Sequence, residues 1–225
     1  MKESLSGGTG MREETALRSE LVAICRKLER KGLIASADGN VSCRVGADRL
    51  LITPSGKPKT DLEPRDLIGV NALGERVSGH GRPSSEIHMH LAVYAQRSDV
   101  SAIVHAHPPL LTAMTLAGQP FRADILPEVW LTVGTVPTAP YATPSTSEVP
   151  DSIAPFIADH HAILLERHGS LTFGRTLGEA YRRLEILEHA AHTLFYALLI
   201  GGCPPPAMPD KDREKLDQVR KKLFA

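Results

Sequence analysis

A single α/β domain is the fold that the sequence predicts. Its 225 residues suit one good-sized domain. Stretches with the helical spacing of apolar residues alternate with short apolar runs typical of strands, and neither an internal repeat nor a low-complexity linker divides them. We therefore treat residues 12–225 as one domain, and we expect the polar, Gly- and Ser-rich residues 1–11 to form a disordered tail.

Helices follow from the spacing of apolar residues and from end signals. Leu17, Leu21 and Leu28 lie on one face of a predicted helix over 12–31, and Gly32 is a natural stop after it. Prolines and serines mark the starts of several later segments. Further helices are predicted over 83–96, 109–116, 147–159 and 177–200, with a charged helix in the tail 204–225.

Strands are predicted where short apolar runs lie between turn residues. The Ala-Asp pair at 47–48 and the Pro-Ser-Gly turn at 54–56 separate the first of these runs. The predicted strands cover 40–45, 50–53, 101–107, 129–136 and 162–166.

Composition excludes several function classes. The 26 basic and 26 acidic residues cancel, so no net field draws the chain to nucleic acid or to a membrane surface. No apolar run reaches the roughly 18 residues of a membrane span. Cys25, Cys43 and Cys203 are widely spaced and odd in number, which indicates free thiols in a reducing compartment. We expect a cytoplasmic protein.

The most informative pattern is His105-Ala-His107, which closes an apolar run. Side chains i and i+2 of a strand point to the same face. Two imidazoles at the end of one strand can therefore converge on a single Zn²⁺, which favours nitrogen ligands. Taken alone, the pattern fits two ordinary histidines on a half-polar strand equally well.

A catalytic zinc needs about three protein ligands and one open position. His168 is the best third candidate, because it ends an apolar run and precedes Gly169. Loops at strand ends carry functional residues, and glycine permits close approach. His189 and His192 share a helix face, where a packed or interface role is favoured.

Glu86 follows Ser84 and Ser85 at the start of a predicted helix. A carboxylate in the first turn of a helix, with a serine as N-cap, is explained by helix stability alone. The same serines and backbone N–H groups could instead bind an anion. The polar segments 39–42 and 53–56 are likewise explained by turn chemistry, so each motif is weak by itself.

Together these motifs resemble the class II aldolase/adducin family, in the family's order and at compatible spacings. The resemblance spans roughly residues 15–200, with Ala-Pro-Tyr-Ala-Thr at 139–143 as a further match. The motifs that carry it are Gly-Asn-Val-Ser (39–42), Ile-Thr-Pro-Ser-Gly (52–56), Ser-Ser-Glu (84–86), His-Ala-His (105–107) and His-Gly (168–169).

The resemblance implies a fold, a metal site and an activity. The fold is a three-layer α/β/α domain around a mostly antiparallel or mixed sheet. The activity is that of an aldolase on a small phosphorylated sugar, L-fuculose-1-phosphate-like, through a metal-stabilised enediolate, in a homotetramer. Zinc, or another divalent metal such as Mn²⁺ or Co²⁺, would be held by His105, His107, His168 and Glu86, with Glu86 also the catalytic acid/base.

The resemblance also assigns the substrate phosphate to hydroxyl and N–H donors rather than to a basic patch, which suits a neutral chain. The implied phosphate-binding residues are Asn40, Ser55, Gly56, Ser84 and Ser85.

Two departures keep alternatives open. L-fuculose-phosphate aldolase uses a tyrosine in the region matching 123–130, where this chain has none, and its C-terminal tyrosine has no match either. A decarboxylase of a 3-oxo sugar-acid phosphate loses CO₂ without needing that proton donor. A sugar-phosphate epimerase typically has aspartate in place of Glu86, and a non-catalytic adducin-like association domain would lack the metal ligands.

Overall fold

The protein is built on one mixed sheet of eight strands. The computed structural model describes residues 6–46 and 48–223, with side chains from residue 11 onward. The strand order is β4-β3-β2-β1-β5-β8-β7-β6, and every neighbouring pair is antiparallel except β6 with β7. The strands are β1 Asn40–Val45, β2 Arg49–Ile52, β3 Ile68–Val70, β4 Arg76–Ser78, β5 Ala102–Ala106, β6 Thr138–Ala139, β7 Ala162–Leu165 and β8 Gly169–Gly174.

Helices cover both faces of this sheet, which confirms the three-layer arrangement. Successive residues of a strand point to opposite faces, so Val104 packs in one core while Ile103 packs in the other. The first core includes α1, α3 and α6, and the second includes α2 and α5. The helices are α1 Ser6–Arg30, α2 Ile87–Gln96, α3 Pro109–Leu116, α4 Pro127–Thr132, α5 Glu148–Ile153, α6 Leu177–Gly201 and α7 Asp210–Leu223.

The structure corrects the element predicted over 129–136. This segment is not a strand, because α4 occupies Pro127–Thr132. Pro127 stands at the start of the helix, where a missing N–H costs nothing. Val129 and Val133, four residues apart, are both buried in the first core. Burial of that helical face outweighs the strand preference of the valines.

Other differences concern element ends. The helix predicted over 147–159 ends as α5 at Ile153 and continues as a 3₁₀ turn, Ala154–Phe156. Pro155 lacks the N–H that an α-helix would need there. At the other end of the chain, α1 begins at Ser6, within the tail predicted to be disordered, while residues 1–5 lie outside the described residues. Strands β3, β4, β6 and β8 were not predicted.

The described residues include three cysteines and the helices given above. Cys25, Cys43 and Cys203 are free thiols, the first two buried and the third exposed. No helix in residues 6–46 and 48–223 combines the length and the apolar character of a membrane span.

Glu188 fixes the start of α3, the helix that follows the His-x-His strand. Its buried carboxylate accepts hydrogen bonds from the backbone N–H groups of Leu110 and Leu111, at 3.0 Å each. The first N–H groups of a helix have no partner within the helix, and the helix dipole favours a negative charge there. Glu188, a residue of α6, therefore caps the N-terminus of α3.

We predict that Glu188→Gln lowers the free energy of unfolding by about 1–3 kcal/mol, because an amide cannot accept both N–H groups and loses the charge. Urea unfolding followed by circular dichroism measures the change. Glu185→Gln is the matched control on the same helix, since Glu185 forms an exposed ion pair with Lys31 and such pairs contribute about 0–1 kcal/mol. Equal losses in the two variants would contradict the capping role.

Candidate metal centre

His105 and His107 meet at the carboxyl end of β5. His105 is the fourth residue of the strand, and His107 follows its last residue. The backbone N–H of His107 donates to the carbonyl of Leu33, at 3.0 Å, which holds the chain in place beyond the strand. The Nε2 atoms of the two rings lie 3.1 Å apart. The convergence expected for i and i+2 side chains is thus present.

His168 completes the cluster from the turn between β7 and β8. Arg167 takes a left-handed conformation with φ of 60°, and the His168 N–H donates to the Leu165 carbonyl at 3.1 Å. The His168 ring centre lies 4.7 Å from that of His105 and 5.1 Å from that of His107. The candidate ligand atoms of the three histidines all lie within 4.8 Å of one another.

Gly169 allows β8 to lie against the His-x-His segment. A Cβ on Gly169 would come 2.4 Å from the carbonyl oxygen of Ala106 and 2.8 Å from the ring of His107. Real Cβ atoms do not approach so closely. The glycine after His168 is therefore required by close approach, as the sequence predicts.

Glu86 reaches the histidines from the start of α2. Its carboxylate oxygens lie 3.3 Å from His105 Nε2 and 3.2 Å from His168 Nε2. Oε2 also accepts a 2.8 Å hydrogen bond from the Asn40 amide.

The structure corrects the predicted start of this helix. Glu86 is the N-cap and α2 begins at Ile87, so neither Ser84 nor Ser85 caps the helix. Instead, Ser84 Oγ accepts from the Glu86 backbone N–H.

Electrostatics favour an ionised carboxylate at Glu86 and a neutral imidazole at His107. Burial acts to raise the pKa of Glu86, but the charge and close approach of His105 and His168 outweigh it and hold that pKa well below its usual range. Burial, followed by the neighbouring histidines, lowers the pKa of His107 to about 4. A neutral imidazole and an ionised carboxylate are the forms that bind metal.

The donor set fits a divalent metal. His105 Nδ1 donates to the backbone carbonyl of Ser170 at 3.0 Å, so its Nε2 carries the free lone pair and faces the cluster. Nitrogens bound to one tetrahedral zinc lie about 3.3 Å apart, close to the spacing of His105 and His107. Within the described residues, Glu86 Oε1 is buried without a hydrogen-bond partner. A cation would satisfy it.

Ser55, Gly56, Ser84 and Ser85, predicted to bind phosphate, lie on two loops that pair with each other, whereas Asn40 is the first residue of β1. Pro54 and Pro83 form an isolated antiparallel bridge. Beside it, the Ser55 N–H donates to the Arg82 carbonyl and the Ser84 N–H to the Thr53 carbonyl. The exposed side chains on these loops are available to a ligand, whereas Asn40 and Ser84 are buried. The exposed members are Ser55, Gly56 and Ser85.

The hydrogen-bond network behind Glu86 was not predicted from the sequence. His90 Nε2 bonds to Asn40 Oδ1, and His90 Nδ1 bonds to the Ser42 hydroxyl. Burial, and then the charge of His105, lowers the pKa of His90 to about 3. Two signals could have found this network: Glu86 and His90 are four residues apart on one helix face, and Asn40 and Ser42 are two apart on one strand face.

Lys59 and Asp38 were also missed. Lys59 is almost fully buried, and its ammonium donates to the Ala37 carbonyl at 2.7 Å. Burial lowers its pKa. This contact fixes the loop that carries Asp38, whose carboxylate lies 3.7 Å from His107 Nδ1. Nothing in the spacing of these residues signals their proximity.

The two helix histidines, and Glu128 of the tyrosine-free segment 123–130, lie away from the cluster. His189, His192 and Glu128 line a cavity of about 910 Å³ between α4 and α6, together with Glu185 and Glu188. No residue of the histidine cluster lines that cavity. The structure therefore separates these three residues from the candidate metal centre.

Comparison with known proteins decides the family. The model of the class II aldolase and adducin N-terminal domain matches residues 19–195. The chain belongs to the class II aldolase/adducin family. The expected family is thus confirmed, and the match spans every candidate ligand.

The relatives of this chain include enzymes with different activities. The chain is 33% identical to the 3-oxo-tetronate 4-phosphate decarboxylase of Escherichia coli K12, over 85% of this chain and 90% of that one. It is also 33% identical to the 5-methylthioribulose-1-phosphate/5-deoxyribulose-1-phosphate aldolase of Rhodospirillum rubrum, over 89% of each. The crystal structure of YgbL from Escherichia coli superposes with a TM-score of 0.84 at 31% identity, covering 90% of this chain and 98% of that one.

We predict that His168→Ala weakens zinc binding by roughly 100-fold or more, since losing a direct ligand should exceed the 10–100-fold typical of outer partners. Competition with a chromophoric chelator measures the affinity, and mass spectrometry measures the zinc content. His189→Ala is the control, because His189 is exposed and lines a separate cavity that no residue of the histidine cluster lines. Equal zinc affinity in both variants would exclude His168 as a ligand.

Proposed function

We propose that the protein is a metal-dependent aldolase that cleaves or forms a carbon–carbon bond in a small phosphorylated sugar, L-fuculose-1-phosphate-like. The observation that carries the proposal is the cluster of His105, His107 and His168, two of which contact the ionised carboxylate of Glu86. Family membership supports it, since curated relatives are aldolases and a decarboxylase of phosphorylated sugars.

The three histidines would hold the metal, with Glu86 as a further ligand before substrate binds. Zinc suits three imidazoles and a carboxylate, and Mn²⁺ or Co²⁺ would accept the same donors. When bound, the metal supplies Lewis-acid stabilisation of the negative charge that develops on the substrate oxygen as the bond breaks. The three imidazoles are carried by the end of β5 and by the turn between β7 and β8, and the paired strands keep their nitrogen atoms in fixed positions.

Glu86 would move the proton. Its Oε2 is engaged by Asn40, whereas Oε1 has no hydrogen-bond partner among the described residues. An ionised carboxylate beside the reacting carbon can take a proton from it in bond formation and return the proton after bond cleavage. Burial of the carboxylate limits competition from water.

The phosphate group would be bound by the paired loops that carry Ser55, Gly56, Ser84 and Ser85, with Asn40 included by the resemblance. The Ser55 and Ser84 N–H groups are already used between the loops, so the serine hydroxyls and the remaining backbone N–H groups are the available donors. Such donors bind a phosphate without a basic patch. A chain of zero net charge is consistent with this arrangement.

Decarboxylation of a 3-oxo sugar-acid phosphate is the second candidate. The segment 123–130 contains no tyrosine, so it offers no phenol to exchange a proton with an aldehyde. Carbon dioxide leaves as a neutral molecule, and the only proton then required is the one added to carbon, which Glu86 would take up from water and pass on. The decarboxylase relative supports the same alternative.

A substrate panel with Glu86→Gln tests the proposal. We expect one ketose 1-phosphate or 3-oxo-acid phosphate to be cleaved with release of an aldehyde or of CO₂, and a chelator to abolish turnover. Glu86→Gln should lower kcat by about 10²–10⁴-fold, because the acid/base group is lost. Coupled assays for dihydroxyacetone phosphate, aldehyde and CO₂ separate the two reactions.

Glu128→Gln is the control for this panel, since Glu128 lies in the separate cavity and its loss should leave kcat within about twofold. Unchanged turnover in Glu86→Gln, or full activity in chelator, would overturn the proposed mechanism.

A homotetramer is proposed as the functional assembly, as the family resemblance implies. The exposed apolar end of α6 supports association, because large exposed apolar patches mark interaction surfaces. Its exposed residues are Phe195, Tyr196, Leu198, Leu199 and Ile200. Light scattering coupled to gel filtration should give about four times the 24.4 kDa of one chain. A mass of one chain at micromolar concentration would contradict the proposal.

A further inference from the structure

A cleft lined by basic side chains lies at the end of the sheet opposite the histidine cluster. Val100, just before β5, and Gly174, the last residue of β8, line it, whereas His105 and Gly169 lie toward the other ends of these strands. Because a strand rises about 3.4 Å per residue, the cleft and the cluster are about 15 Å apart. Its volume is about 660 Å³. We call it the basic cleft, after its cations Arg175, Arg183, Arg220 and Lys221.

Arg183 of α6 is the buried cation of the basic cleft. Its side chain is 8% exposed. Nε donates to the carbonyl of Thr132 at 3.3 Å, Nη1 donates to the carbonyl of Phe173, and Nη2 pairs with the Glu179 carboxylate at 2.6 Å. These contacts on α4, β8 and α6 fix the guanidinium in position before a ligand arrives.

Cations outnumber carboxylates around the basic cleft. Its acidic lining residues are Asp99, Glu179 and Asp217. Asp99 is held by Arg97 through two hydrogen bonds of 2.8 Å. With Arg97 added to the four cations of the cleft, five positive charges face three negative ones, an excess of two. Arg175 and Lys221 are exposed, so a ligand can reach them.

This excess acts on the neighbouring buried groups. Burial lowers the pKa of Arg183; Glu179 opposes the change, and the charge of Arg220 adds to it. Burial, followed by the charges of the nearby arginines, lowers the pKa of His161 to about 3. His161 also lines the cleft, and its buried Nδ1 has no hydrogen-bond partner among the described residues. A bound anion would reduce the repulsion between these groups.

Helix stability explains only part of the arrangement. Arg220 and Lys221 lie in the last turn of α7, where the helix dipole favours a cation. Arg175 instead precedes the N-cap of α6, and Arg183 lies in the second turn of that helix. The same dipole disfavours a cation near a helix N-terminus. Two of the four cations are therefore placed against the local preference.

We infer that the basic cleft is a second ligand site, separate from the candidate metal centre, and that it binds the phosphate monoester of a small organic molecule. A phosphate monoester carries a charge of about −1.5 to −2 at pH 7, which matches the excess of positive charge. Arginine N–H groups are suited to phosphate oxygens.

The size of the basic cleft indicates that the ligand has an organic body. Its volume of about 660 Å³ lies within the roughly 300–1,000 Å³ of small-molecule sites and exceeds that of one phosphate group. Val100 and Leu131 offer apolar contact beside the charged groups. A phosphate monoester with a body the size of a sugar uses both kinds of surface.

Trp130, the only tryptophan of the chain, gives a local readout. Its indole N–H donates to Asp217, which lines the cleft, at 2.9 Å, and its neighbour Leu131 lines the cleft too. Ribose 5-phosphate is titrated into the full chain at constant ionic strength while tryptophan fluorescence is followed. We expect a saturable change. A chelator should leave the affinity within twofold, and loss of binding in chelator would place the ligand at the metal centre and overturn the inference.

Arg175→Gln and Arg220→Gln should each weaken this binding by about tenfold or more, because each removes a charge-assisted hydrogen-bond donor. Lys215→Gln is the matched control. It removes the same charge from α7, but Lys215 pairs with Asp212 and does not line the cleft, so the affinity should stay within twofold. Melting temperatures verify that the variants fold. Equal affinities in Arg220→Gln and Lys215→Gln would overturn the inference.

Calorimetry repeats the comparison without relying on the tryptophan. Ribose 5-phosphate should bind more tightly than inorganic phosphate, because the cleft also contacts the organic body. Inorganic phosphate with equal or higher affinity would overturn the assignment to a phosphate monoester. Identical isotherms for the unsubstituted chain and for a double variant with Arg175→Gln and Arg220→Gln would overturn the site itself.

Discussion

The pairing of β5 between β1 and β8 is the constraint on which the candidate site depends. Asn40 stands opposite His105 across one side of β5, and Ser170 stands opposite Ala106 across the other. A shift of one residue in either register would turn His105 to the opposite face. The contact of Asn40 with Glu86, the Ser170 carbonyl that orients His105, and Gly169 beside the His107 ring all depend on these two ladders of hydrogen bonds.

Much of the site could be predicted from the sequence because its chemistry is carried by local motifs. Three short motifs each contain a residue that lies in the cluster: His-x-His, His-Gly and Ser-Ser-Glu. The hydrogen bonds of His90 with Ser42 and Asn40 could not be predicted in the same way, because they join residues 48 and 50 positions apart. Only the strand register reveals that Asn40 and His90 meet.

The fold shows the same division between local and distant information. Long helices such as α1 and α6 carry enough apolar spacing to be found, whereas β3 and β4 have only three residues each. The valines of the α4 segment favour a strand locally, and burial of one helical face against the first core decides otherwise. Strand β8 has polar residues on the face that packs toward α6, so its sequence lacks the continuous apolar run by which the other buried strands were predicted.

The capping of α3 by Glu188 has a consequence for ligand binding. Two contacts hold the backbone of His107. Its own N–H donates to the carbonyl of Leu33, and the first turn of α3, which follows directly, is capped by Glu188. Backbone conformational entropy at this ligand is therefore lost when the chain folds and not when an ion arrives. Association with an already ordered backbone retains more of the gross coordination energy as affinity.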